Sequence, residues 1–200
     1  MDNRAMFHLS YGLYVLTAKE GEKDNGCIIN TAAQVTTTPN RITIAVNKQN
    51  LTHDIIKNTG QFNVSMLDQT VKFFTFHNFG FQSGRNADKF ADIPVQRSEN
   101  GIYYLTENTS AYLSGKTVQE IDLGTHTLFL ADVTDANVLS GKEAVTYAYY
   151  QANIKPKPEN TEKKGYRCRI CGYVYEGEEL PADYICPICK HGASDFEKIS

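Results

Sequence analysis

No stretch of this 200-residue chain approaches the roughly twenty consecutive apolar residues that a membrane-spanning helix needs. Its first residues, Met1-Asp2-Asn3-Arg4-Ala5-Met6-Phe7-His8, lack the apolar core of a cleavable leader. No membrane role is expected, and the cytoplasm is the expected location. A basic excess is also missing: 20 Lys and Arg against 23 Asp and Glu leave a net charge of −3, which excludes a broad cationic face for nucleic acid. There is no Gly-x-Gly-x-x-Gly, no Walker loop and no internal repeat, so the usual dinucleotide and nucleoside-triphosphate cradles are absent. Cysteine is scarce as well. Four of the five cysteines stand in one cluster and Cys27 is left over, which argues for a reducing compartment rather than a disulfide framework.

That cluster is the most informative feature present. Cys168-Arg-Ile-Cys171 and Cys186-Pro-Ile-Cys189 are two Cys-x-x-Cys pairs whose four thiolates suit a tetrahedral metal. By spacing alone, both a structural zinc ribbon and a one-electron iron centre remain open. Asn153 to Lys164 replaces apolar periodicity with prolines and charges and reads as a linker. If extended like polyproline, Lys155 to Lys164 would span about 30 Å. The expected organisation is therefore a domain over residues 1–152, a linker over 153–164 and a metal domain over 165–200.

Residues 1–152 alternate β-type segments with two helical ones. Strands are expected at Tyr11–Ala18, Gly26–Thr36, Arg41–Asn47, Phe62–Leu67, Ile102–Thr106 and Thr125–Ala136. Helices are expected at Leu51–Thr59, buried through Ile55 and Ile56, and at Thr70–His77, buried through Val71, Phe73 and Phe74. The segment Asn47-Lys48-Gln49-Asn50-Leu51-Thr52 ends a strand and opens a helix, where free N–H groups, a hydroxyl and an ammonium make a candidate phosphate receptor. Ordinary helix capping by Asn50 and Thr52 explains the same residues. Phe79 to Phe90, taken alone, is a solvated loop.

Residues 165–199 resemble rubredoxin through Gly165-Tyr-Arg-Cys168, Cys171-Gly-Tyr-Val-Tyr175, Pro181-Ala-Asp-Tyr-Ile-Cys186-Pro-Ile-Cys189 and Asp195-Phe-Glu197. Only fourteen residues separate Cys171 from Cys186, a short loop more similar to the rubredoxin domain appended to rubrerythrins, and Lys190 stands where glycine is usual. The resemblance implies a single iron held by Cys168, Cys171, Cys186 and Cys189, inside an aromatic shell of Tyr166, Tyr173, Tyr175 and Phe196. Gly172 would need positive φ in the knuckle turn.

A second resemblance covers about residues 5–150. Gly12 to Ala18, Asn25 to Thr36, Asn50-x-Thr52, Phe62-Asn-Val64, Ser83-Gly-Arg85 through Lys89-Phe90, and Gly124 to Phe129 are similar in order and spacing to the flavin reductase-like FMN-binding domain. The fold class this implies is mainly β, an FMN-binding split β-barrel with peripheral helices followed by the small rubredoxin-like domain. By position, Ile29, Asn30, Thr31 and Ala32 would face the isoalloxazine edge, with Gln34 and Thr36 near the ribityl chain. Asn47, Lys48, Asn50 and Thr52 would hold the phosphate, and Arg85 and Lys89 would add positive charge. His126 would lie near the nicotinamide approach as the one catalytic candidate, although a lone strand histidine is also a common structural residue. Cys27, beside the ring, reads more simply as a small buried apolar residue.

The two resemblances together match the high-molecular-weight rubredoxins. They imply NAD(P)H as donor, FMN and one iron as cofactors, a homodimer, and an external acceptor such as a flavodiiron oxygen or nitric oxide reductase. Residues 165–200 carry four basic and six acidic side chains, so a basic docking patch on that acceptor is expected. Two other functions fit the same residues: a flavin reductase carrying a structural zinc ribbon, and a non-enzymatic FMN-binding module. No ribose-reading fingerprint indicates NADH or NADPH.

Overall fold

The computed structural model describes residues 2–156, 165–170, 172–187 and 191–199. The chain divides into two units, Met1–Ile154 and Lys155–Ser200. The linker expected over 153–164 falls mostly outside the described residues; Asn153 and Ile154, at its start, close a π-helical turn over Tyr150–Ile154. Among the described residues no helix is long and apolar enough to cross a membrane.

In the first unit the strands are β1 (Tyr14–Glu20), β2 (Lys23–Ile29), β3 (Ala33–Thr37), β4 (Asn40–Asn47), β5 (Gln61–Leu67), β6 (Val95–Arg97), β7 (Tyr103–Leu105), β8 (Thr109–Asp122) and β9 (His126–Val138). Helix α1 (Leu51–Thr59) follows β4, and α2 (Phe73–Gly80) follows β5. Seven strands form one antiparallel sheet in the order β2-β1-β5-β8-β9-β4-β3, while β6 and β7 form a separate hairpin.

The split β-barrel expected from the sequence is not formed, because the sheet is open: β2 and β3 are its outer edges and no ladder joins them. The sheet is nevertheless strongly coiled. Laid flat, seven strands would put the edges about 29 Å apart at a spacing of about 4.8 Å, yet only Asn30, Thr31 and Ala32 connect β2 to β3. That connector reaches at most about 14 Å, so the two edges converge at this corner. Register shifts at Ser114/Gly115, Thr117/Gln119, Gln34/Thr36 and Met66/Leu67 supply the added twist.

Side chains alternate between two cores. Leu16 and Ala18 of β1 join Ile29, Ile42, Ile44, Val46, Phe62, Val64 and Phe129 under α1, whose Ile55 and Ile56 are both buried as the pattern predicts. Val15 of the same strand faces the opposite way, toward Leu67, Phe76, Phe79, Leu105 and Tyr150. The second helix starts three residues later than expected. It buries Thr75, Phe76, Asn78 and Phe79, while Phe74 is exposed. Gly115 sits against fully buried Phe62, and a β-carbon there would overlap its ring. Gly115→Ala is expected to cost about 1–3 kcal/mol, measured by urea denaturation.

The second unit carries the three-stranded sheet β11-β10-β12, with β10 at Gly165–Cys168, β11 at Val174–Tyr175 and β12 at Phe196–Ile199. Gly165 has φ +145°, and its missing side chain leaves room for the Tyr175 carbonyl of the neighbouring strand.

Candidate functional site

The corner where β4 passes into α1 gathers most of the predicted phosphate residues. Asn47 ends β4 and pairs in register with His126 at the start of β9. Its side-chain oxygen accepts from the Gln49 N–H at 2.9 Å, and its carbonyl accepts from the Asn50 N–H at 3.0 Å, making a tight turn into the helix. Asn50 is the N-cap in position, extended at φ −75° and ψ 133°, but its side chain makes no capping bond. The helix therefore presents its N-terminal N–H groups without a side-chain acceptor, the arrangement that favours an external anion.

Lys48 lies across this turn, its N–H bonded to the Thr125 carbonyl at 3.0 Å and its ammonium to Asp122 Oδ1 at 2.6 Å. Arg85 arrives from the loop after α2 and bonds Asp54 Oδ2, in the first turn of α1, at 2.7 Å. The Arg85 guanidinium holds the Asp54 carboxyl below its ordinary range, and Lys48 does the same for Asp122. His126 is half-buried, with Nδ1 2.9 Å from Thr125 Oγ1.

Thr52 lies beneath this surface. It is fully buried and its hydroxyl accepts from Asn25 Nδ2 at 3.0 Å. Lys89 is likewise buried, its ammonium bonded to the carbonyls of Gly26 at 2.9 Å and Phe79 at 3.3 Å. It thus ties β2, α2 and the following loop together, whereas Arg85 stands at the surface. Burial pushes the Lys89 ammonium down and the neighbouring Cys27 thiol up, so Cys27 stays a protonated thiol at neutral pH.

Ile29 is buried at the end of β2, and the connector Asn30–Ala32 runs beside β4. Thr31 Oγ1 donates to the Ala45 carbonyl at 2.8 Å, and the Ala45 N–H bonds Thr31 Oγ1 in return at 3.2 Å. This places the connector two residues along β4 from Asn47. Gln34 and Thr36 sit on exposed β3 and are engaged within its own hairpin, Gln34 with Asn40 at 2.9 Å and Thr36 with the Pro39 carbonyl.

Three residues that the sequence reading gave no role also belong to the corner: His53, Asp54 and Asp122. Buried His53 joins Thr127 Oγ1 at 2.9 Å through Nε2 and Asp54 Oδ1 at 3.1 Å through Nδ1. The only local signal was an acidic residue in a first helical turn; the contacts to β9 and to Arg85 cross 74 and 31 residues. Arg85 also lines an open cleft of about 610 Å³, but three acidic and three basic side chains face that cleft, giving it no preference for an anion. The donor set at α1, amide N–H groups with Asn, Lys and Arg, fits the phosphate monoester of FMN.

In the second unit Cys168 and Cys186 are buried at 1% and 0% exposure. The Gly172 N–H bonds the Cys168 carbonyl at 2.9 Å with φ +80°, the knuckle turn expected there. The Cys186 N–H bonds the His191 carbonyl at 2.8 Å. Cys171 and Cys189 lie outside the described residues, and among the described residues no cluster of three metal-ligating side chains occurs. The Cys168 N–H likewise bonds a carbonyl five residues on, that of Tyr173 at 2.8 Å, and two buried thiols so placed fit a tetrathiolate metal. Their aromatic surround includes Tyr184, centred 4.7 Å from Tyr175 and 5.5 Å from Phe196, a member the sequence reading did not name.

Comparison with known proteins bears on both units. The flavin reductase like domain matches residues 6–157, and the rubrerythrin, rubredoxin-like domain matches residues 166–197. A high molecular weight rubredoxin of Moorella thermoacetica is 41% identical, with 100% of both chains covered. A ferric-chelate reductase (NAD(P)H) of Archaeoglobus fulgidus is 36% identical over 80% of this chain and 95% of its own. Among solved structures, the NADH:FAD oxidoreductase SgcE6 of Streptomyces globisporus C-1027 superposes with a TM-score of 0.65 at 22% identity, over 72% of this chain and 84% of its own. The flavin reductase PheA2 gives 0.62 at 23% identity, over 73% and 93%. These two speak to the fold. The chain thus belongs to the flavin reductase like domain family and joins to that domain a rubredoxin-like one, the fusion of a redox-active electron-transfer enzyme, as in high molecular weight rubredoxin.

Proposed function

We propose that this protein is an oxidoreductase that draws electrons from NAD(P)H through FMN to one iron and on to an external redox protein. The observation that carries this reading is the pairing in one chain of a flavin reductase like domain with a rubredoxin-like domain, matched along the whole length by the Moorella protein. The nicotinamide donor is supported by the Archaeoglobus reductase, whose name specifies NAD(P)H. FMN would supply the conversion between a two-electron hydride donor and a one-electron acceptor, and iron in four thiolates would supply that acceptor.

The chain's own residues divide the work. Asn47, Lys48, Asn50 and Arg85 bind the phosphate at the α1 corner, and Thr52 and Lys89 brace it from beneath. Ile29, Asn30, Thr31 and Ala32 form the wall for the ring beside β4, with Gln34 and Thr36 beyond it on β3. His126, opposite Asn47, orients the nicotinamide. Cys168, Cys171, Cys186 and Cys189 hold the iron. A homodimer working in the cytoplasm belongs to the same reading. It is supported by Val35, Val118, Ile121 and Leu123, which stand 44–53% exposed on β3 and the β8–β9 hairpin. A flavodiiron protein is the acceptor proposed.

An anaerobic titration of the purified holoprotein with NADH, then NADPH, followed in the visible range, tests the sequence of steps. Both flavin and iron bands should bleach with nicotinamide alone. Iron bands that persist until dithionite is added, or zinc in place of iron on metal analysis, would remove the second step.

A further inference from the structure

Each surface cation at the proposed phosphate corner is already held by a carboxylate: Lys48 by Asp122 at 2.6 Å and Arg85 by Asp54 at 2.7 Å. Both carboxylates are also anchored by the fold, independently of the cation. Asp122 Oδ1 accepts the Gly124 N–H at 2.7 Å in the β8–β9 turn. Asp54 Oδ1 meets Nδ1 of His53, whose buried ring is fixed on its other side by Thr127 of β9. An incoming anion can draw the guanidinium or ammonium toward itself, while each carboxylate keeps its own contact to the fold. They remain as fixed negative charge at the mouth of a helix N-terminus that otherwise favours anions.

The geometry points to Asp54 and Asp122 as specificity-setting residues that keep this corner near neutral, weaken its grip on the flavin phosphate and limit the preference for FMN over riboflavin. The inference rests on the reading that FMN phosphate sits at this corner. It goes beyond that reading by making two acidic residues, neither a donor to the ligand, the determinants of how tightly the cofactor is held and how readily it exchanges.

The test uses the full chain, stripped of flavin and titrated with FMN and separately with riboflavin by flavin fluorescence. Asp54→Asn, Asp122→Asn, the double variant and Arg85→Gln are compared with the parent. Each Asp→Asn change keeps the side-chain shape and removes one negative charge. It is expected to tighten FMN binding about two- to fivefold, as for one exposed charge, and to move riboflavin less than about twofold. The double variant should combine the two gains. Arg85→Gln should weaken FMN about tenfold and leave riboflavin unchanged. FMN release from the holoprotein on dilution gives a second readout that needs no stripped protein, and it should slow in both Asp variants. Weaker FMN binding in the Asp variants, or equal shifts for both flavins, would overturn the proposal by showing a merely structural role. A parent protein that binds neither flavin would instead bring down the functional reading on which the proposal rests.

Discussion

Replacing Cys168 or Cys186 by serine is expected to strip the second unit of its metal and lower electron delivery to an external acceptor by at least about 100-fold, while reduction of flavin by NAD(P)H continues. Both thiols are buried, Cys168 on the knuckle turn closed by Gly172, and an alcohol offers a harder and more weakly ionised ligand than a thiolate. A unit this small is also expected to depend on the proposed metal for its fold. Among the described residues its three short strands enclose little beyond the cluster of Tyr175, Tyr184 and Phe196, so ligand loss should unfold it locally. Metal content per chain, visible absorbance and hydrogen exchange over residues 165–199 measure these effects. The first unit has its own two cores and should keep its unfolding transition unchanged. Full metal content in Cys186→Ser would exclude Cys186 as a ligand.

The parts of this molecule that were legible in the sequence are those written in short stretches. The apolar spacing of Ile55 and Ile56 and the turn at Asn47–Asn50 each depend on neighbours within a few residues, and each is found where it was expected, while of the two Cys-x-x-Cys pairs the described residues include only Cys168 and Cys186, both buried. What was missed depended on long-range pairing. The expected strand Gly26–Thr36 is two strands at opposite edges of the sheet, because the chain turns at Asn30–Ala32, a segment without Gly or Pro to mark it. The longest strand, Thr109–Asp122, was not foreseen. Its bulges around Gly115 and Val118 break the period-two alternation, and its second half projects exposed. The open sheet follows from the same limitation, since nothing local records whether two edge strands meet. At the candidate site the turn that gathers Asn47, Lys48 and Asn50 was legible, whereas the contacts of Asp54, Asp122 and His53 join partners that only the fold brings close.

Asn63→Leu is expected to destabilise the first unit by about 2–4 kcal/mol, the largest effect among changes that leave both cofactor regions untouched. Asn63 is fully buried on β5 and its amide donates to Ser98 Oγ at 2.7 Å and to the Ile102 carbonyl at 2.9 Å. Its oxygen accepts from Asn100 Nδ2 at 2.8 Å, and Ser114 on β8 donates to Ser98 at 3.2 Å. The β6–β7 hairpin is thereby fastened to the sheet through polar groups of which Asn63, Ser98 and Ser114 are buried and Asn100 half-buried. Leucine matches the shape of asparagine but makes none of these bonds, leaving several groups desolvated and short of partners. The outer fastening of the same hairpin is the paired contact of Arg97 with Asp24 at 3.0 and 2.8 Å, with Arg97 stacked 3.8 Å over Tyr103. Arg97 is partly exposed, so Arg97→Ala should cost only about 0–1 kcal/mol. Thermal unfolding separates the two: Asn63→Leu should lower Tm by about 5–15 °C and Arg97→Ala by no more than about 4 °C. Hydrogen exchange should show the Asn63 loss concentrated in residues 95–105. An Asn63→Leu protein that melts like the parent would mean that shape alone, rather than the buried network, docks the hairpin.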